Sequence, residues 1–254
     1  MRSSAKAAAL MLVVLMLPAR EAAAQGKVGG PEKFLFDAAN RERSARGLPA
    51  LKWDAELAAA ARPHAQRMAQ QNTLSHQFPG EPDLLARARA AGARFSAVAE
   101  NVADGPEAAE IHDGWMKSPP HRQNLLDPNL NSIGIAVAER DGQLFAAEDF
   151  SRAVADLSVE EQEGRVRAEL KAHGLRVLNE NADARRTCER GLGQPTSQRA
   201  AYALRYSTGD LDNLPDALTM TLRDGQYHVA AVGACAPPHG GNFAEYQVAV
   251  LLYE

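Results

Sequence analysis

The sequence is short of almost everything that would point away from an ordinary folded core. Two cysteines in 254 residues exclude a cysteine-stapled scaffold, and the composition fits neither a collagenous nor a long disordered chain. There is no Lys/Arg cluster, and 28 basic against 32 acidic side chains leave a net charge of -4, so nothing offers an electrostatic footprint for nucleic acid. Beyond one apolar run near the start, no stretch is apolar for the roughly 18 residues that a membrane-spanning helix needs. Chemistry by local motif is absent too. GxSxG, HExxH, a phosphate-cradling glycine loop and a dinucleotide fingerprint are all missing, so no nucleotide or organic cofactor is expected.

What is present begins with a targeting pattern. Arg2 and Lys6 precede an apolar run from Ala7 to Leu17 that ends at Pro18, and Ala22-Ala23-Ala24 supplies a small-residue cleavage site. The run is too short to span a bilayer core and no cysteine follows it, so residues 1–24 read as a cleavable signal peptide rather than an anchor. Cleavage leaves 230 residues with 25 basic and 31 acidic side chains, no transmembrane segment, and a secreted or periplasmic location. Export places Cys188 and Cys235 in an oxidising compartment, where a disulfide is the favoured reading, worth at most about 4 kcal/mol. Two buried thiols are the alternative; a metal pair lacks any CxxC or neighbouring histidine.

After a linker at 25–31, Phe34, Leu35, Ala38 and Ala39 fall at helical spacing between Pro31 and Gly47. Asp54 suits the N-cap of a second helix with Leu57, Ala61, Ala65 and Met68 on one stripe, which Pro63 is expected to kink or divide. Pro82 opens a short helix ending at Gly92. Asp104 and Glu107 mark a further helix start leading to Ile111 and Trp115, and that helix ends at Ser118-Pro119-Pro120. Ile133, Ile135 and Val137 alternate, Asp141-Gly142 turns, and Leu144 to Phe150 returns as a hairpin. A second block starts near Ala155. Ser158 and Glu161 form a capping box, Gly174 closes that helix, and strands follow at 175–178, 202–206, 227–235 and 246–253, with 214–222 open between helix and strand but leaning to helix. Helices followed by antiparallel strands give an α+β class for both blocks, 32–152 and 155–254. No fixed-period repeat is visible, although both blocks end in a hairpin and are compatible with a distant common origin.

Polar residues bunch at Ser75-His76, at Glu100-Asn101 and from Ser118 to Asn124, and loops on a rigid scaffold commonly carry function. These same stretches, Ser75-His76, Ala99-Glu100-Asn101-Val102, Gly114 through Pro128 and Ile133-Gly134-Ile135-Ala136-Val137, resemble the bacterial SCP-like branch of the CAP superfamily of cysteine-rich secretory proteins, venom allergens and plant pathogenesis-related proteins. The resemblance covers about residues 32–152. It implies an α-β-α sandwich, export, and a cleft lined by two histidines and two glutamates in which some members hold a divalent metal such as zinc. Carried over by motif, the cleft residues are His76, Glu100 and His121, with Ser118 where the second glutamate would stand and Glu148 where a glutamine is common; His76 and His121 are the metal candidates.

Neutral imidazoles can ligate zinc, and Glu100 could orient one of them or activate a bound water. The bland alternative is a hydrogen-bonded network that holds loops together. Trp115 reads as a core plug, Asn101 as bonded to loop backbone, Arg122 and Asn124 as braces of the turn before the hairpin, and Ser118 as an N-cap first and a cleft residue second; His64 and His112 carry no separate signal. Three function classes follow: a binding module for a metal, lipid, glycan or peptide in the envelope or outside the cell, a metal-assisted hydrolase of peptide or cell-wall material, and a structural or protein-interaction module with a vestigial cleft. The missing second glutamate disfavours the hydrolase.

Overall fold

The computed structural model of the protein describes residues 30–193, 196, 199–236 and 244–254; the expected signal peptide, most of the linker and the loop at 237–242 lie outside the described residues. The chain is α+β, with two four-stranded sheets formed in succession. The first receives α1 (Gly30–Ser44), β1 (Lys52–Trp53), α2 (Ala55–Gln71), α3 (Leu84–Ala90), β2 (Phe95–Gly105), α4 (Ala108–Lys117), α5 (Pro119–Leu126), β3 (Ser132–Arg140) and β4 (Gln143–Ala153). Its strand order is β1-β3-β4-β2, antiparallel except for the short parallel pair β1 and β3.

Alternation along the strands sorts the core onto two faces. Ile133, Ile135, Ala146 and Phe150 pack with Leu35 of α1, Ile111 and Trp115 of α4 and Leu125 of α5, while Ala136, Phe145, Ala147 and Val102 pack with Ala61, Ala65 and Met68 of α2. The result is the three-layered α-β-α arrangement. One buried cation ties its lower layer: Arg43, 1% exposed, donates to the carbonyls of Pro49, Leu125, Asp127 and Leu130.

Three local expectations are corrected. Pro63 does not divide α2, which is continuous over 17 residues. It sits on the exposed side, so the carbonyl of Ala59 that loses its partner faces water. Residues 95–105 form an eleven-residue strand running through Asp104, so Asp104 is no helix cap; Glu107 holds the N-cap position of α4 without a side-chain bond. Its alanine-rich sequence shows no apolar alternation, and its pairing with β4 rather than its own propensity makes it a strand. Ser118-Pro119-Pro120 ends α4 but also starts α5, because prolines are well suited to the first helical positions.

The second sheet follows a five-residue connection, with α6 (Val159–Ala172), β5 (Arg176–Val177), α7 (Ala182–Arg190), β6 (Tyr202–Thr208), α8 (Asp216–Leu222), β7 (Val229–Cys235) and β8 (Tyr246–Tyr253). The capping box of Ser158 and Glu161 is complete, the stretch around Leu218 is a helix, and Cys188 is bonded to Cys235. The two sheets meet closely: Ala244 N donates to Phe95 O at 2.8 Å, Tyr246 Oη to Ala155 O at 2.7 Å, and Arg152 pairs with Asp210 at 2.8 Å. No described helix is long and apolar enough to cross a membrane.

Candidate functional site

Strand order leaves β2 at an edge of the first sheet, and the candidate residues gather along it. Successive residues of a strand face opposite ways, so Glu100 looks toward α2 and α3 while Asn101 looks toward α5. Glu100 is 8% exposed. Its Oε1 receives His76 Nδ1 at 2.8 Å and its Oε2 receives a guanidinium N–H of Arg87 on α3. His76 rides on the loop between α2 and α3, exposed above Glu100.

Residues without any sequence signal hold this loop. His64 of α2 is fully buried, with Nδ1 2.9 Å from Glu81 Oε1, Nε2 2.8 Å from the carbonyl of Ser75 and 3.8 Å from Glu100 Oε2. Glu81 also accepts from Phe78 N at 3.0 Å. Burial alone would raise its pKa, but that backbone donor and His64 outweigh burial and hold the carboxyl below its usual range. Arg87 also reaches toward the His76 carbonyl at 3.4 Å.

The other face is braced by amides. Asn101, fully buried, donates to His121 O at 3.1 Å and to Glu148 Oε2 at 3.2 Å, and accepts from Asn124 Nδ2 at 3.0 Å. Asn124 also donates to Glu100 O. This network fixes α5, which carries His121, against β2. The His121 imidazole is half-buried; burial and then the nearby His76 lower its pKa, so it stays neutral at neutral pH. Ser118 is half-buried at the N-cap position of α5, but its side chain makes no cap hydrogen bond, and Pro120 removes one of the two N–H groups that such a side chain accepts from.

Glu148 does not supply the cleft with a carboxylate. It is fully buried on the Asn101 face, opposite to Glu100, and burial pushes its pKa up to about 8. The acid beside Glu100 is its cross-strand partner Asp149, equally buried, with no N–H or hydroxyl donor at either oxygen. Burial first and the Glu100 charge second raise its pKa well above normal. The structure therefore brings His76, Glu100 and His121 to one edge and leaves Glu148 beneath it. Among the described residues no group of three or more His, Cys, Asp or Glu side chains is placed to hold a metal ion. His64, Glu81, Arg87 and Asp149 were invisible beforehand, because sequence separations such as 13 residues between Arg87 and Glu100 follow no local periodicity.

Comparison with known proteins matches residues 36–150 to the model of the cysteine-rich secretory protein family, CAP. The uncharacterized protein YkwD of Bacillus subtilis is 32% identical over 117 residues, 46% of this chain and 46% of its own length. The uncharacterized membrane protein YlbC of the same organism is 34% identical over 110 residues, 42% of this chain and 31% of its own. A crystal structure of an extracellular SCP-domain protein from Bacillus anthracis is 30% identical, covers 47% of this chain and 39% of that one, and gives a TM-score of 0.44. The chain thus spans less than half the length of the curated relatives it matches. With the three-layered fold and the motif residues in place, residues 36–150 belong to the CAP, or cysteine-rich secretory protein, family.

Proposed function

We propose that the chain is an exported binding module whose ligand sits on His76 and His121, and that it is not a hydrolase. One observation carries this reading: Glu100 is engaged at both carboxylate oxygens, by His76 and by Arg87, and the acids nearest to it in the sheet, Glu148 and Asp149, are buried with their pKa values raised. A carboxylate acting as general base needs an oxygen free to reach substrate or water, and both oxygens of Glu100 are already taken. Export is supported by the pattern of Arg2 through Ala24 and by the Cys188–Cys235 bond, which suits an oxidising compartment.

The group offered to a ligand is a pair of imidazoles. His76 directs Nδ1 at Glu100, which leaves Nε2 outward, and His121 is neutral; such a pair can take a divalent cation at its Nε2 lone pairs or hydrogen-bond an acidic or hydroxylated ligand. Two imidazoles make an incomplete metal site, so uptake is weak. Zinc is the probe. Calorimetric titration at about pH 7.5 and about pH 5.5, either side of the ordinary histidine value, should show binding only at the higher pH and none in a His76→Ala/His121→Ala variant. Equal heats from both proteins would end the zinc reading. Turnover of a peptide, ester or glycan substrate that Glu100→Gln abolishes would overturn the binding module in favour of the hydrolase.

A further inference from the structure

The second sheet repeats the first strand for strand, while α3, between α2 and β2, has no counterpart and α8 stands for both α4 and α5. In both, a first helix leads to a two-residue strand, a second helix, an outer strand, further helix and a final antiparallel pair, and the sheet orders are β1-β3-β4-β2 and β5-β7-β8-β6 with the same parallel and antiparallel senses. Local details coincide as well. α1 and α6 are each followed by a glycine of positive φ and then a leucine: Gly47 N bonds Ser44 O and Leu48 N bonds Arg43 O, as Gly174 N bonds Lys171 O and Leu175 N bonds Leu170 O.

The closest coincidence lies where the second helix crosses the sheet. A Cβ on Gly134 would come within 2.1 Å of Ala58 N, and one on Gly233 within 2.2 Å of Arg185 N; these are the fourth residues of α2 and α7. Two residues along the strand and three along the helix from these contacts stand Ala136 and Ala61 in the first sheet, both buried in one cluster. The same steps in the second sheet reach Cys235 and Cys188, which are bonded with a Cα–Cα separation of 5.8 Å.

We infer that residues 159–253 are a second, reduced copy of the fold of residues 30–153, in which the disulfide stands where the first copy packs Ala61 beside Ala136 and from which the cleft has been removed. Aligning Gly134 with Gly233 puts Arg205, Tyr206, Val248 and Ala249 at the places of Glu100, Asn101, Glu148 and Asp149. The place of His64 falls on Gly191, just past the end of α7, and a single helix, α8, stands between the outer strand and the hairpin where the first copy has α4 and α5. One departure is a slide of the short edge strand. β5 meets β7 three and four residues before Gly233, whereas β1 meets β3 one and two residues before Gly134, and the longer connection 178–181 takes up the difference. A two-residue slide keeps every side chain on its face, and in that register too the four places hold Ala203, Leu204, Val250 and Leu251, none of them acidic. Recognition through the cleft belongs to the first copy alone.

The test transfers the crosslink. In the full-length protein an Ala61→Cys/Ala136→Cys variant, folded without reductant, should resist alkylation completely and yield a 61–136 crosslink by peptide mass mapping beside Cys188–Cys235. The off-face variant Ala61→Cys/Val137→Cys should leave two alkylatable thiols. Free thiols at 61 and 136 in folded protein, or pairing of either with Cys188 or Cys235, would overturn the equivalence. A crystal structure of the unaltered protein gives a reading that needs no variant: an Ala61–Ala136 Cα separation within the roughly 4.4–6.8 Å that a disulfide spans supports it, and one beyond about 7 Å overturns it.

Discussion

At the scale of single residues, the first sheet buries two acidic side chains, Glu148 and Asp149. Glu148 has its folded pKa raised to about 8 by burial, far above the unfolded carboxyl value. A raised folded pKa contributes stability that is full below the unfolded value and is lost as pH climbs through the folded one, so this carboxyl weakens the fold progressively from about pH 4.5 to about pH 8. Glu148→Gln should therefore gain at least about 1 kcal/mol over wild type at pH 8.5 and little at pH 4, as read from urea unfolding at the two pH values. Arg87 is a sharper case, since its guanidinium is a permanently charged partner of the buried Glu100 carboxylate. Arg87→Met leaves a buried carboxylate without its main partner and should cost about 3–5 kcal/mol, while adding Glu100→Gln recovers much of the loss; denaturant unfolding of the double-mutant cycle checks both. His76, Glu100 and His121 were named from motif resemblance, and the structure places Glu100 on β2 with His76 bonded to it and the His121 carbonyl bonded to Asn101. Arg87, His64 and Glu81 act through other side chains and carry no pattern of their own, and the facing of Glu148 turns on strand register, which a sequence without a visible β2 does not supply.

At the scale of elements, helix starts and turns were the readable part. Asp54 caps α2 with Oδ1 accepting from Leu57 N at 2.9 Å, and Asp141-Gly142 forms the hairpin turn with positive φ at both residues, because capping and tight turns are decided by a few adjacent side chains. Strand β2 and helix α5 escaped because their conformation is imposed by partners distant in sequence. Close approach of α2 to β3 makes Gly134 intolerant: Gly134→Ala should destabilise by more than about 3 kcal/mol, whereas Gly114→Ala, with open space around its Cβ on a helix, should be neutral or stabilise by up to about 1 kcal/mol. Thermal unfolding of the two variants side by side measures the contrast. Pro63→Ala should raise stability by about 1–3 kcal/mol by restoring an exposed backbone bond within a continuous helix, and the same unfolding experiment reports it.

At the scale of the whole molecule, one sheet carries the candidate site and the other carries the crosslink. Reducing Cys188–Cys235 should cost about 2–4 kcal/mol and loosen the second sheet before the first, visible as earlier loss of amide protection in α7 and β7 than in α2 and β3. The α+β class and the pairing of these cysteines were legible in the sequence; the repetition of one topology was legible only as a hairpin ending each block, because α7 is 9 residues long against 17 for α2. Function turns on whether His76 and His121 meet at the edge of β2. Burial and the neighbouring His76 hold the pKa of His121 below that of an ordinary histidine, so its imidazole gains a proton only as pH falls through that depressed value. Proton NMR titration of the His121 ring in wild type and in His76→Ala is the measurement. A midpoint below about 6.5 that moves upward when His76 is removed is the predicted result; an ordinary midpoint, unchanged by the substitution, would mean that the two imidazoles do not form one site.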